Sequence, residues 1–437
     1  MRYLSLLFIL PYLAFSVEEV PVSIQDTSLE QFEISWPSVK GRSYSVERGA
    51  DLNGDMSVLG SQDATPPTNS WWIDTSSNQT QFFKVVEADH HSVLSLADMG
   101  TRKAAWLMNE RLGKGNNLMA SKAIFGHAYV EDFLLLRQSG FSHCRLGYKL
   151  DLRVGASPEY LIPTLDQDRL LEVANFAIQT GLNIIIDPVH DWNNSDGFTG
   201  SEADFSKLVK IWEQVSVLFA DYPTDQVVFE IMNEPSVNHD YERIIIDALA
   251  AIRSVPGNEN RVVIVAGGYG AVDGNNALNY TTREALINAF DNDKFPIDDA
   301  NLIGTFHYYD PKTFTKQGDP SIGVQGRRWG AQNSAFDQVE ADFDAVVNAN
   351  NAWATRNNTT PLPIYLGEFG TDNAVDLHNE FNDRKRWLSW IRLQAEKRNF
   401  SWAHWNMYNN SLTSQGMGPW NSSFEDAVYF NFDATSA

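Results

Sequence analysis

"VVFEIMNEPS", residues 227–236, is an apolar, β-prone run that stops abruptly at Asn233, Glu234 and Pro235. A buried strand ordinarily gives way to a bland turn, whereas this one delivers a carboxamide and a carboxylate against a proline. The same grammar returns in "PIYLGEFGTD", residues 363–372, where an apolar run closes on Glu368 between two glycines. Two apolar strands with chemistry at their C-terminal ends suggest a parallel sheet whose strand ends share one mouth.

Working outward from these stretches, strand-like and helix-like segments alternate. "GKGNNL" precedes "VEDFLLLRQSG", "HCRLGY" precedes "LDQDRLLEVANFAIQTG", and "NIIIDPV" precedes "FSKLVKIWEQVSVLFA". "VVFEIMNEP" precedes "YERIIIDALAAIRS", "RVVIVAGG" precedes "REALINAF", and "LIGTFHYY" precedes "FDQVEADFDAVVNA". "PIYLGEFG" precedes "RKRWLSWIRLQAEK", and "SWAHWNMY" is the last strand. Eight strands with interposed helices over residues 95–437 predict an α/β fold, a (β/α)8 TIM barrel. "GKGNNL" is the weakest of the eight. A doubly wound open sheet is the alternative, but no Gly-x-Gly-x-x-Gly follows any strand.

The preceding text has another texture. "FEISWPSV", "SYSVERG", "NSWWIDT" and "QFFKVVEA" are short aromatic or alternating runs separated by turn residues. With no helical period among them, residues 17–90 are expected to form a small all-β sandwich that weakly resembles a fibronectin type III module. Residues 1–16, "MRYLSLLFILPYLAFS", carry one Arg, an apolar run and a small-x-small end at Ala14-Phe15-Ser16. That order is expected of a secretory signal peptide, hence a secreted, extracellular, periplasmic or cell-surface protein with no membrane span.

Lys and Arg number 33 against 56 Asp and Glu in 437 residues, a formal charge of −23. Such a surface repels nucleic acid and anionic membranes and suits a neutral substrate. Cys144 is the only cysteine, so no internal disulfide forms. No Cys/His cluster has metal-ligand spacing, so neither metal nor cofactor is expected.

In a barrel of this kind the strand ends bring chemistry together. The second gives Arg145, the third His190, the fourth Asn233 and Glu234, the sixth His307 and Tyr309, the seventh Glu368 and the eighth Trp405. Glu234 and Glu368 come from strands that are not neighbours, so they face each other across the mouth. Paired carboxylates flanking a bond are the apparatus of glycoside hydrolysis, one protonated and one ionised. Arg145 favours an ionised partner, and the Tyr309 hydroxyl can donate to it. Asn233 can hold a sugar hydroxyl, and Trp405 offers a flat face to a pyranose ring.

"EIMNEP", "FHYYDP", "YLGEFG" and "HWNMY", with "CRLGY" upstream, resemble glycoside hydrolase family 5, the cellulase family of the retaining (β/α)8 clan, over about residues 95–437. The resemblance implies that Glu234 takes the acid/base position and Glu368 the nucleophile position. Arg145, Asn233, His307, Tyr309 and Trp405 fall on the family's supporting, substrate-binding positions. His190 departs from the pattern, because two residues rather than one separate it from Asp187; it is kept as a substrate ligand that a bulge could place.

Parity separates these residues from bystanders. His404 is expected to face the helices, and His143 to lie about 6.6 Å deeper than Arg145 as a core histidine. Glu230 is expected about 13 Å below Glu234 as a polar core residue. Trp192, Tyr269, Trp329 and Trp420 are candidates for lining the cleft. The resulting expectation is a monomeric, retaining endo-β-1,4-glucanase acting on a β-linked polysaccharide or oligosaccharide. The alternatives are a β-mannanase or other β-glycanase, and a non-enzymatic surface glycan-binding protein.

Overall fold

The computed structural model describes residues 23–26, 31–37, 43–49, 57–63, 68–74, 82–88 and 99–405, except 119–123, 125, 127, 139, 191, 193–197, 236–239, 268–280, 331–333 and 372–382. The leader-like residues 1–16 and the cleft candidates Tyr269 and Trp420 lie outside the described residues. The chain divides into two compact units at about residue 90.

The first unit contains β1 (Ser23–Asp26), β2 (Gln31–Pro37), β3 (Ser43–Gly49), β4 (Ser57–Asp63), β5 (Thr68–Asp74) and β6 (Phe82–Ala88). They form two antiparallel three-stranded sheets, ordered β1-β2-β5 and β4-β3-β6. Trp36 of one sheet meets Tyr44 of the other edge to face, with ring centres 5.8 Å apart.

In the second unit, β7 (Lys114–Leu118), β8 (His143–Gly147), β9 (Asn183–Asp187), β10 (Val227–Glu230), β11 (Val263–Val265), β12 (Leu302–Tyr308), β13 (Ile364–Phe369) and β14 (Ser401–His404) close into a barrel. Every neighbouring pair is parallel, and β14 returns to β7 through Trp402 against Lys114. The expected (β/α)8 architecture is present, including the weak first strand. Alternation within each strand explains why the runs are apolar throughout: both faces are covered. Ile184, Ile186, Phe229, Val263, Leu366 and Trp402 pack outward in the large core shared with the helices.

Inside the barrel, Ile185, Val228, Ile264, Ile303, Tyr365 and Ala403 form a second core. Its floor is α1 (Lys103–Leu112), whose Ala105, Met108 and Leu112 recur at helical spacing on the face turned to that core. The sequence pattern did not single out this helix. Trp106 and Asn109 tie it sideways to the carbonyls of Pro361 and Asn399. With the lower end filled, the upper end, where the strands finish, is left for polar side chains.

Candidate active site

Arg145 organises the upper layer. It is fully buried, and its guanidinium reaches five side chains on four strands or strand ends. Nε and Nη2 donate to the two Glu230 carboxylate oxygens at 2.6 and 2.9 Å. Nη1 donates to Asn117 Oδ1 at 2.9 Å and to Glu368 Oε1 at 3.0 Å. Nη2 also reaches Asn233 Oδ1 at 2.9 Å and Asp187 Oδ2 at 3.2 Å. Burial alone would loosen the Arg145 proton, but Glu230, Asp187 and Glu368 hold it more tightly than in free arginine. Arg145 is therefore a permanent cation among carboxylates.

Glu368 reaches this layer because β13 is irregular. Phe306 pairs with Leu366 but His307 pairs with Glu368, so Gly367 is an extra residue on that strand. Regular alternation from the inward Tyr365 would turn Glu368 toward the helices; the bulge returns it to the mouth. Glycine is needed at the bulge, since a Cβ at Gly367 would lie 2.9 Å from His307 Nε2 and 3.0 Å from Thr305 Oγ1. Asn117 Nδ2 clamps the irregular segment by donating to the carbonyls of Gly367 at 3.0 Å and His404 at 3.2 Å. Glu368 then accepts from Arg145 on one oxygen and from the Tyr309 hydroxyl, at 2.7 Å, on the other.

Glu234 stands beyond the end of β10. The strand stops at Glu230, so the extended spacing expected between Glu230 and Glu234 does not apply. Asn233 fixes the turn: its backbone N–H donates to Val189 O at 3.1 Å, and its carboxamide accepts from Arg145 while donating to His190 O. Glu234 itself has φ +37°, an uncommon conformation for a residue with a long side chain, and one that surrounding contacts must enforce. Its Oε1 lies 2.8 Å from His307 Nδ1, and the same nitrogen lies 3.5 Å from Glu368 Oε2. Burial would raise the Glu234 carboxyl, but the His307 hydrogen bond and charge, aided by His190 and Arg145, bring it down to about 2.

His190 is held without a regular Asp-x-His spacing. The chain leaves β9 after Asp187, Val189 bridges antiparallel to Lys149, and His190 Nδ1 comes back to 2.6 Å from Asp187 Oδ2. The ring lies over Gly147, where a Cβ would approach it to 2.4 Å. Trp405, half-buried at the end of β14, stacks on His190 with ring centres 5.6 Å apart and planes 11° from parallel. Burial would lower the His190 imidazole, but Asp187 raises it above its ordinary value.

The structure thus brings together all eight residues singled out from sequence: Arg145, His190, Asn233, Glu234, His307, Tyr309, Glu368 and Trp405. Asn117, Asp187 and Glu230 join them and were not recognised as parts of the site. Asn117 lies on the weakest strand, and Glu230, buried as the polar core residue expected, gives no sequence sign of its contact with Arg145. Lys316, whose Nζ lies 4.1 Å from the Tyr309 ring centre, carries no sequence signal at all. His143 and His404 are buried as parity requires, His143 between the Leu112 carbonyl and the Tyr365 hydroxyl. Trp192 is buried against Phe198 and packs the protein, whereas Trp329, packed on Phe336, lines a cavity of about 780 Å³ with Asp310, Arg328 and Gln338.

Among the described residues one group has atoms placed to surround a cation. Glu234, His307 and Glu368 each offer one ligand atom, all within 4.8 Å of one another. Spacing along the chain could not disclose it. The guanidinium of Arg145 already occupies Glu368, and a cation there would meet that charge. The arrangement instead suits a reaction centred between two carboxylates.

Comparison with known proteins bears on that arrangement. The family model described as cellulase (glycosyl hydrolase family 5) matches residues 114–411. Endoglucanase H of Acetivibrio thermocellus is 32% identical over 282 residues, 64% of this chain and 26% of that protein. Endoglucanase B of Neocallimastix patriciarum is 30% identical over 293 residues, 65% of this chain and 57% of that protein. The aligned regions thus span about a quarter to just over half of these relatives. Among solved structures, a hyperthermophilic endo-β-1,4-glucanase with bound substrate matches at TM-score 0.60 and 25% identity, covering 74% of this chain and 99% of that one. Cel5A of Thermotoga maritima in complex with mannotriose matches at TM-score 0.59 and 26% identity, with the same coverage.

Proposed function

The chain belongs to the cellulase family, glycosyl hydrolase family 5, and we propose that it is a secreted, retaining endo-β-1,4-glucanase that cleaves β-glucan by double displacement. The observation that carries this reading is the meeting of Glu234 and Glu368, from non-adjacent strands, with facing oxygens within 4.8 Å. A retaining pair needs carboxyl groups about 5–5.5 Å apart, whereas an inverting pair leaves about 6.5–9.5 Å for a water molecule.

In the proposed first step, Glu368 attacks the anomeric carbon, the bond to the leaving oxygen breaks, and Glu234 gives that oxygen a proton. Arg145 and Tyr309 each hydrogen-bond one oxygen of the attacking carboxylate and so hold it aimed. In the second step, Glu234 takes a proton from water, the hydroxide attacks the glycosyl carbon, and Glu368 leaves as a carboxylate. The contact with His307 favours Glu234 in the form this second step uses. For the first step a proton must reach it, and His307 Nδ1, at 2.8 Å, is placed to supply one. Trp405 and His190 would seat the sugar whose linkage is cut, with Asn233 beside the reacting carbon.

The second reading, a β-mannanase, is favoured by the relative crystallised with mannotriose. Reducing-end release from carboxymethylcellulose, mannan, xyloglucan and laminarin separates the two. Fastest release from the cellulose derivative, with an early fall in viscosity, is expected. Faster release from mannan would replace the glucanase assignment, and no release from any polymer would favour a glycan-binding protein. Proton NMR of the first-formed product should show the β-anomer; the α-anomer would exclude retention. Secretion is supported by the leader-like N-terminus and would be contradicted by an unprocessed chain found only inside cells. For residues 17–90 we propose a spacer: their removal should leave turnover of a soluble substrate unchanged.

A further inference from the structure

Glu230 touches neither the mouth nor the reacting pair, yet it holds Arg145 more firmly than any other residue. It accepts two hydrogen bonds, at 2.6 and 2.9 Å, where Glu368 accepts one at 3.0 Å. The third carboxylate, Asp187, is committed to His190 at 2.6 Å and meets Arg145 only at 3.2 Å. All four groups are nine-tenths or more buried, so their charges act on one another with little screening by water. A buried ion pair adds little stability over an apolar pair of the same size. Apolar packing already fills the barrel one layer below. Holding the fold together is therefore a poor explanation for a carboxylate at position 230.

We propose that Glu230 is a positioning residue for the reaction: by occupying two Arg145 donors with its carboxylate, it limits how far the guanidinium stabilises the Glu368 carboxylate, and so sets the pH at which the nucleophile ionises. The inference rests on the reading of Glu368 as nucleophile. Glu230 is faced by Arg145 from β8, Asp187 from β9 and His307 from β12. The phenols of Tyr241, from the helix Tyr241–Arg253, and of Tyr365, from β13, face it as well. Of these, Arg145 is the group that touches Glu230 and Glu368 at once. Burial, joined by the neighbouring Asp187, raises the Glu230 carboxyl above its ordinary value against the pull of Arg145, so the state of Glu230 is itself part of the test.

The test is the pH profile of kcat/KM on a soluble β-1,4-glucan oligosaccharide, whose acidic limb reports ionisation of the nucleophile. Glu230→Gln frees Arg145 for Glu368 and removes a like charge, so the acidic limb should move down by about one pH unit. Glu230→Asp keeps the charge while disturbing the packing, and its limb should stay where the wild type has it. A Gln variant with an unmoved limb, or an Asp variant that moves as far as the Gln variant, overturns the proposal. If the Gln variant does not fold, wild-type protein with 13C-labelled glutamate carboxyls decides. The Glu230 signal, assigned by its loss in Glu230→Asp, should stay ionised while Glu368 titrates; a protonated Glu230 in that range overturns the proposal. A wild type that does not turn over the substrate defeats the nucleophile reading itself, whereas turnover with an unmoved limb defeats only the role of Glu230.

Discussion

Between Val228 and Glu230 on β10, or between Tyr365 and Glu368 on β13, the barrel interior changes from a hydrocarbon layer to an ionic one. The lower layer joins Ile185, Val228, Ile264, Ile303 and Ala403 to the floor helix α1. The upper layer gathers Asn117, Asp187, Glu230, Asn233 and Glu368 around Arg145. Burial is shared, and on β9 and β10 so is parity, so there side-chain chemistry separates the layers. The lower layer gains from leaving water, roughly 25 cal/mol for each Å² of apolar surface. The upper layer pays desolvation that its ion pairs barely recover. Stability and chemistry are thus divided along the barrel axis, and each end can be attacked separately.

The largest effect is expected at the top. Glu368→Gln removes the nucleophilic charge while keeping shape, so kcat should fall by about 10⁴-fold or more, with the melting temperature unchanged or raised. Unfolding of this variant would show that the ionic layer supports the fold, and the division above would fail. Glu234→Ala should cost about 10²- to 10⁴-fold on unactivated substrates. Much of that loss should vanish with a nitrophenyl leaving group, which needs no proton. Equal losses on both substrates would remove Glu234 from the acid role.

At the bottom the ranking should reverse. Ile264→Ala leaves a cavity between β11 and the floor helix, and is expected to lower unfolding free energy by about 2–5 kcal/mol in urea titrations. Measured well below its melting temperature, kcat/KM should stay within about twofold of the wild type. A tenfold loss of activity would mean that the layers are mechanically coupled.

The two layers were unequally legible from the chain. Strand runs such as "NIIID" and "VVFE" announce themselves because both faces are apolar, and polar residues after them mark the mouth. Glu234 and Glu368 were visible for that reason. What sequence could not show is geometry that breaks the period. The bulge at Gly367 turns Glu368 inward against its parity with Tyr365, and the left-handed turn at Glu234 voids the distance extrapolated from Glu230. His190 returns to Asp187 by a bridge that no spacing rule describes. Asn117, Asp187 and Glu230 went unrecognised because their role lies in touching Arg145, a matter of three-dimensional contact. The floor helix was overlooked because a helix before the first strand has no counterpart in the strand–helix alternation.

His143 lies within the lower layer, between Leu112 and Tyr365, and its titration gives the smallest and most specific test of the comparison. Its Nδ1–H donates to Leu112 O at 2.6 Å, and its Nε2 accepts from the Tyr365 hydroxyl at 3.1 Å, so the neutral ring is fully bonded. Burial lowers the imidazole to about 4, against the pull of the Leu112 carbonyl and with the help of Arg145. An unfolded histidine takes up its proton near pH 6.5, so between that value and 4 only the unfolded chain is protonated. Stability from this site is therefore complete above pH 6.5 and is lost as pH falls toward 4, at about 1.4 kcal/mol per pH unit. His404, brought to about 3 by burial and then by Arg384, adds a loss of the same sign. His143→Gln removes the titration while leaving a donor and an acceptor in place. Urea unfolding from pH 7 to 4.5 should show a shallower decline for the variant than for the wild type. Equal slopes would mean that water reaches His143, and that the hydrocarbon layer is not the dry floor on which the ionic one depends.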